Sequence, residues 1–341
     1  MVPALAVADA LRADGAEVRF VGGQRAERTL VPQAGYPMDV LAVEGLARRN
    51  PLRAARALLK AVAALRRSVR LLRAARPDAV LGGGGYVAGP VGLAAVLLRI
   101  PLVLTEADSH LGLTNRLLAR WARSVCLAFP VAGREGGRYR VTGRPVPPPD
   151  ADRAGSRAAL GLGEDDTCVL VFGGSLGARS INFAAVEAFR GAPFRVLHAA
   201  GSRDHDELAV RLGSPPPANY DLRAYITPFG PALAACDLVV ARAGGSIFEV
   251  CAYGRPALLV PYPHATADHQ TANARWMADA GAAVVVRDEE LTAERLAHEV
   301  GALLHDEARL HAMARAAAGL ARPDAADAVA AAVRAAAGGA S

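Results

Sequence analysis

The chain has 341 residues, 52% hydrophobic and 21% charged, with a formal net charge of +6. That length predicts two domains, each with its own core, and the composition excludes a disordered or fibrous chain. The longest apolar run, Val87–Leu98, contains glycine and stops at Arg99, short of the roughly 20 residues that a membrane span needs; a start carrying Asp9 and Arg12 in a helical pattern does not read as a secretory signal.

In chain order, a helix opens the sequence at Pro3–Arg12, with proline near its first turn. Strands follow at Glu17–Val21, Ala79–Leu81, Leu102–Thr105 and Val125–Phe129, then at Cys168–Phe172, Arg195–Ala199, Leu238–Ala241, Ala257–Val260 and Ala283–Val286. Each is a short run of β-branched or Leu residues bounded by Gly, Pro or Asp. Helical segments such as Arg53–Arg76, Ala178–Phe189 and Gln270–Ala280 lie between them. This alternation predicts an α/β chain of two doubly wound, Rossmann-like domains facing a cleft. The Pro-rich stretch Gly143–Asp150 reads as a stiff linker. The expected division is 1–145, 146–322, and a last helix, 323–341, returning to the first domain.

Residues 45–76 hold ten Arg or Lys and no acid, so the positive excess is concentrated. Within them Leu58, Val62, Leu65, Val69 and Leu72 recur at helical spacing, with Lys60, Arg66, Arg67 and Arg70 on other faces. Two readings stay open: the stripe packs on a sheet and the charges are solvated, or the segment meets an anionic membrane. Nucleic acid is not expected, because the stretch lacks aromatic stacking residues. Cys126, Cys168, Cys236 and Cys251 have neither metal-site nor redox spacing and read as buried thiols.

Three glycine clusters follow strands: Gly82–Gly85, Gly173–Gly174 with Ser175, and Gly244–Gly245 with Ser246. Glycine admits an anion close to backbone N–H groups, and the next helix adds the positive end of its dipole. None has the Lys-Ser/Thr of a P-loop or the acid of a dinucleotide site, which speaks against ATPase and dehydrogenase readings. In Arg242–Glu249, Ser246 stands where a helix cap belongs, and Glu249, about one turn into that helix, reads either as an acceptor for a ribose diol or as a surface acid that stabilises the helix N-terminus. Val260–Gln270 delivers Asp268, His269 and Gln270 to a helix start, where they could read sugar hydroxyls.

These segments, with Val171–Asn182, Leu81–Pro90 and Thr105–Asn115, resemble the MurG-type family of GT-B glycosyltransferases. Those enzymes move N-acetylglucosamine from UDP-GlcNAc to an undecaprenyl-diphosphate-linked muramyl pentapeptide, lipid I, and so make lipid II. The resemblance runs over nearly the whole chain, in order. It implies peptidoglycan synthesis, with its links to cell shape and division, at the cytoplasmic face of the membrane. It implies donor binding by Asp108, Ser175, Ile226, Arg242, Gly245, Ser246, Glu249, His269 and Gln270, and an acceptor side at Gly84, Gly85 and Tyr86. No metal or other cofactor is expected, and inversion at the anomeric carbon is. Asp108 stands where the family usually has Asn, Leu176 where Gln is common, and Pro147 where Arg is frequent. The family's first strand and its Gly-Gly-His loop precede the segment matching Met1–Ala6, so the expectation is a true start upstream of Met1. Without that histidine, Glu106 or Asp108 must serve as general base. The rival readings are a nucleotide-sugar-binding remnant without turnover and a GT-B enzyme using another lipid acceptor.

Overall fold

The computed structural model describes residues 2–24, 27–41, 51–174 and 177–338, with the backbone alone at 51–59 and 266. The chain forms two compact units, Met1–Pro147 with Arg322–Ser341, and Pro148–Ala321.

In the first unit, helix α1 (Val2–Ala13) leads to β1 (Phe20–Gly22), α2 (Glu27–Gln33) and β2 (Met38–Val40). Helix α3 (Pro51–Ala75), β3 (Val80–Gly82), α4 (Gly85–Leu97), β4 (Leu102–Glu106), α5 (Leu113–Leu118), β5 (Ser124–Leu127) and β6 (Tyr139–Val141) follow. Strands β1 and β2 pair in parallel, and β3-β4-β5-β6 form a second parallel sheet. Leu102, Leu104, Val125 and Leu127 pack under Ala94, Ala95 and Leu118, so helices cover this face of the sheet.

The second unit contains α6 (Arg153–Ala159), β7 (Cys168–Phe172), α7 (Arg179–Phe189), β8 (Arg195–Ala199), α8 (His205–Leu212) and β9 (Tyr220–Arg223). It continues through α9 (Gly230–Ala235), β10 (Leu238–Ala241), α10 (Ile247–Ala252), β11 (Ala257–Leu259), α11 (His269–Asp279), β12 (Ala283–Val285), α12 (Ala293–His305) and α13 (Glu307–Leu320). Its six strands are parallel in the order β12-β11-β10-β7-β8-β9, the doubly wound arrangement. Every residue of β7 and β10 is buried, as a sheet covered on both faces requires. Side-chain caps start several helices: Asp152 accepts from Gly155 N, Thr292 from Arg295 N, and Asp306 from Arg309 N.

The last helix, α14 (Ala325–Gly338), belongs to the first unit. Val329, Ala330, Ala332 and Ala336 pack with Val7 and Leu11 of α1, Val103 of β4 and Cys126 of β5. The four cysteines are buried and unpaired. No helix among the described residues is long and apolar enough to cross a membrane.

Candidate functional site

Strand order in the second unit reverses between β7 and β10, and ligands of doubly wound sheets bind beyond the strand ends at such a point. The loops after these two strands carry Gly173–Gly174 and Gly244–Gly245. Ser175 and Leu176 lie outside the described residues. Gly177 is pressed against the end of β8: a Cβ there would stand 2.2 Å from the Ala200 carbonyl oxygen, so only glycine lets the loop close.

Across the switch point, Ser246 occupies the N-cap position of α10, but its hydroxyl makes no capping bond. Glu249 lies in the first turn of that helix and is half-buried. Ile226, between β9 and α9, is buried. Neighbouring loops are tied together by side chains. Asn273, fully buried on α11, donates to the Ala243 carbonyl (3.0 Å), and Gln270 Oε1 accepts from Tyr262 N (3.0 Å). His269 is the first residue of α11. The residues before it, Ala267 and Asp268, both adopt left-handed backbone, with φ of 54° and 52°.

The structure gives Arg242 a different task from the donor contact expected of it. Its buried guanidinium donates to Asp288 Oδ1 (2.5 Å), Ser180 Oγ (2.8 Å), Val260 O (3.1 Å) and Pro261 O (3.2 Å). Ser180 also donates to Asp288 Oδ1, at 2.5 Å. A side chain so engaged links the loops after β10, β11 and β12 to the start of α7.

Behind the β7 loop lies a buried polar network that sequence reading missed. His198 meets the Tyr220 hydroxyl (2.8 Å) and Asn182 Oδ1 (3.1 Å). Asn182 Nδ2 in turn donates to Ala200 O (2.8 Å) and Asp204 Oδ2 (2.9 Å). Burial pulls the His198 pKa down to about 3, so the ring is neutral. Asp204 is fully buried, and hydrogen bonds from Arg203, then Asn182 and Arg179, hold its pKa below the usual carboxylate value against the opposing effect of desolvation. Asp204 and Asp206 have Asp-x-Asp spacing, a pattern also passed over in the sequence. Arg203, Arg179 and Asn182 occupy the Asp204 oxygens, however, and Asp206 faces solvent beside His205.

In the first unit, Gly84 and Gly85 turn the chain with φ of 78° and 75°, a pair of left-handed residues that side chains disfavour. Tyr86 follows at the start of α4 and is 65% exposed. Glu106, expected as a base candidate, instead organises the loop after β4. Its Oε1 accepts from Ala107 N (3.0 Å) and Asp108 N (3.4 Å), and its Oε2 from Gly112 N (2.8 Å) and Asn115 Nδ2 (2.9 Å). Both oxygens of this 9%-exposed carboxylate are thus taken up by donors of its own loop and by Asn115. Asp108 sits half-buried on that loop.

On α3, Leu65, Val69 and Leu72 pack into the core, while Val62, Lys60, Arg66, Arg67 and Arg70 are exposed. The Leu58 side chain lies outside the described residues. Leu97, Leu113, Leu117 and Trp121 are exposed at 45–61% on α4 and on α5 with the turn after it. The four-residue spacing of Leu113, Leu117 and Trp121 was a legible signal in the sequence.

Two α/β units, each built on a parallel sheet and the second with glycine loops at its switch point, define the GT-B class of fold. The chain belongs to glycosyltransferase family 28: the model of that family's N-terminal domain matches residues 1–127 and that of its C-terminal domain residues 168–329. It is 42% identical to the UDP-N-acetylglucosamine–N-acetylmuramyl-(pentapeptide) pyrophosphoryl-undecaprenol N-acetylglucosamine transferase of Moorella thermoacetica, over 96% of this chain and 93% of that protein. The protein of the same description from Rubrobacter xylanophilus is also 42% identical, over 95% of this chain and 96% of its own length. The crystal structure of Acinetobacter baumannii MurG superposes with a TM-score of 0.78 at 31% identity, covering 97% of this chain and 95% of that one.

Proposed function

We infer that this chain transfers N-acetylglucosamine from UDP-GlcNAc to lipid I, forming lipid II for peptidoglycan. The observation that carries this reading is similarity over nearly the full length to transferases so described, together with glycine loops on both sides of the β7–β10 switch point. The C4 hydroxyl of the muramic acid attacks the anomeric carbon. The new C–O bond forms as the bond to UDP breaks, the hydroxyl proton passes to a base, and configuration inverts.

On this reading the β7 loop with Ser175, and Gly245 and Ser246 after β10, receive the diphosphate. Backbone N–H groups there stabilise the charge that gathers on the leaving group. Glu249 takes the ribose diol, the backbone at Ile226 the uracil, and His269 and Gln270 the sugar. Gly84, Gly85 and Tyr86 belong to the acceptor side. Of the two carboxylates weighed as base, we assign Asp108, on the loop that Glu106 fixes, as the base of a chain that lacks the family's loop histidine. Charge stabilisation by amides and helix ends supports a metal-independent reaction, so EDTA should leave the rate unchanged.

The exposed Leu97, Leu113, Leu117 and Trp121, with Val62 and the basic residues of α3, support a peripheral site on an anionic membrane. Sedimentation with phosphatidylglycerol vesicles should carry the protein down, and Leu117→Glu with Trp121→Glu should release it. The decisive assay follows labelled GlcNAc from UDP-GlcNAc into lipid I, with diacylglycerol as competing acceptor. Labelled lipid II is the expected product. Transfer to diacylglycerol, or UDP binding without transfer, would replace this reading with one of its rivals.

A further inference from the structure

Arg242 directs both of its Nη atoms to acceptors within the protein, and everything it holds belongs to loops at the donor end of the sheet. Its partners come from three places: the end of β11 through Val260 O and Pro261 O, the start of α7 through Ser180, and the segment after β12 through Asp288. The residue itself opens the loop after β10. Pro261 is followed by Tyr262, whose N–H donates to Gln270 Oε1. This last bond decides which way the Gln270 amide faces. The Oε1 is engaged by a backbone donor, so the amide turns its Nε2 toward the β10 loop, where the space beside Gly244 lies 3.9 Å from that nitrogen. A carboxamide has one acceptor end and one donor end, and here the backbone has chosen between them.

We propose that Arg242, Asp288 and Ser180 form a positioning clamp that sets the path of the Pro261–Tyr262 backbone. Through the Tyr262 N–H, the clamp makes Gln270 present an N–H donor to the sugar of the nucleotide donor. The clamp thereby governs sugar selectivity rather than nucleotide affinity. The inference rests on the reading of Gln270 as a sugar contact. Its physical basis is that the guanidinium fork satisfies carbonyl, hydroxyl and carboxylate together, which a lysine ammonium cannot do from one position. If the clamp loosens, the Tyr262 N–H shifts, the amide is free to rotate, and donors differing in sugar hydroxyl pattern are distinguished less well. Loss of one oriented hydrogen bond corresponds to about a 10-fold change in selectivity.

The test uses the full chain with Arg242→Lys, Asp288→Asn and Ser180→Ala. For each variant, UDP affinity is measured by titration, and kcat/KM is measured for UDP-GlcNAc and for UDP-N-acetylgalactosamine, which differs only in the configuration of one sugar hydroxyl. The expected result is UDP affinity within about 3-fold of the wild type, with the UDP-GlcNAc preference reduced by about 10-fold in Arg242→Lys, less in Asp288→Asn, and least in Ser180→Ala. Thermal unfolding identifies any variant that fails to fold, and Ser180→Ala, the mildest change, keeps the series readable. Selectivity unchanged in all three variants, or UDP affinity falling in step with UDP-GlcNAc utilisation, overturns the clamp's role. A wild-type protein that binds UDP but does not discriminate between the two donors overturns instead the reading of Gln270 on which it rests.

Discussion

Glu106 in the first unit and Arg242 in the second each stand at the C-terminal end of a central strand, and each is consumed by hydrogen bonds, but to opposite partners. Glu106 accepts from three backbone N–H groups of its own loop and from Asn115 nine residues on. Arg242 donates to carbonyls and side chains 18, 19, 46 and 62 residues away. An anionic side chain at a strand end gathers the N–H groups of a local turn. A cationic one gathers carbonyls, and carbonyls left over at strand ends belong to neighbouring strands. The first loop is therefore held as a local unit, and the second as part of a lattice of loops.

This contrast predicts where damage stays and where it spreads. Glu106→Ala removes the acceptor of three N–H groups and one of the two acceptors of the Asn115 amide, which keeps Thr105 O, so unfolding measurements should show a loss of about 3 kcal/mol. A double-mutant cycle with Asn115→Ala should show coupling between the two. Strict additivity would mean that the loop is held by something else. Asp108→Asn, on the same loop, should do the reverse: stability within about 0.5 kcal/mol of the wild type, and kcat for GlcNAc transfer lower by about 100-fold. Unchanged kcat would remove Asp108 as the base.

The second unit should betray its long-range network through pH. The folded protein keeps His198 neutral, while the unfolded chain protonates it below about 6.5. The stability tied to this is complete above that pH and drains as pH falls toward the folded value of about 3. By pH 5 the loss from His198 alone is about 2 kcal/mol. Denaturant titrations of His198→Gln should lack that slope between pH 7 and 5, and an unchanged slope would exclude the buried ring as its source. Smallest of all is a local effect within the lattice. Ala267 holds φ 54° and ψ 27°, so Ala267→Gly should relieve backbone strain and raise stability by about 0.5 kcal/mol after the entropy of glycine is counted. A lower melting temperature would show that the turn favours a side chain.

How much of this was legible in the sequence follows the same division. Strands β7 and β10 read directly, because strands buried on both faces are unbroken apolar runs, and β8 was read from its Val196–Leu197 centre despite Arg195 and His198. Strands β2 (MDV), β6 (YRV) and β9 (YDLR) were not read. They are short and carry charges, and β6 and β9 lie at sheet edges, where little apolar burial is needed. The glycine corners and Glu249 were visible as motifs. The tasks of Arg242 and Glu106 were not, because nothing local announces that Asp288 and Ser180 meet at Arg242, or that four donors converge on Glu106. The basic stretch was seen, but the fold alone separates Leu65, Val69 and Leu72, which enter the core, from the exposed Leu117 and Trp121.

The central claim is a uridine diphosphate cradle between the β7 and β10 loops, closed by Glu249. Calorimetric titration of UDP into the wild-type chain and into Glu249→Gln tests it most directly. The account predicts one site per chain, weakened by about 10- to 100-fold when the charged acceptor of the ribose is lost. Equal affinity in the two proteins, or no heat of binding in either, would contradict it.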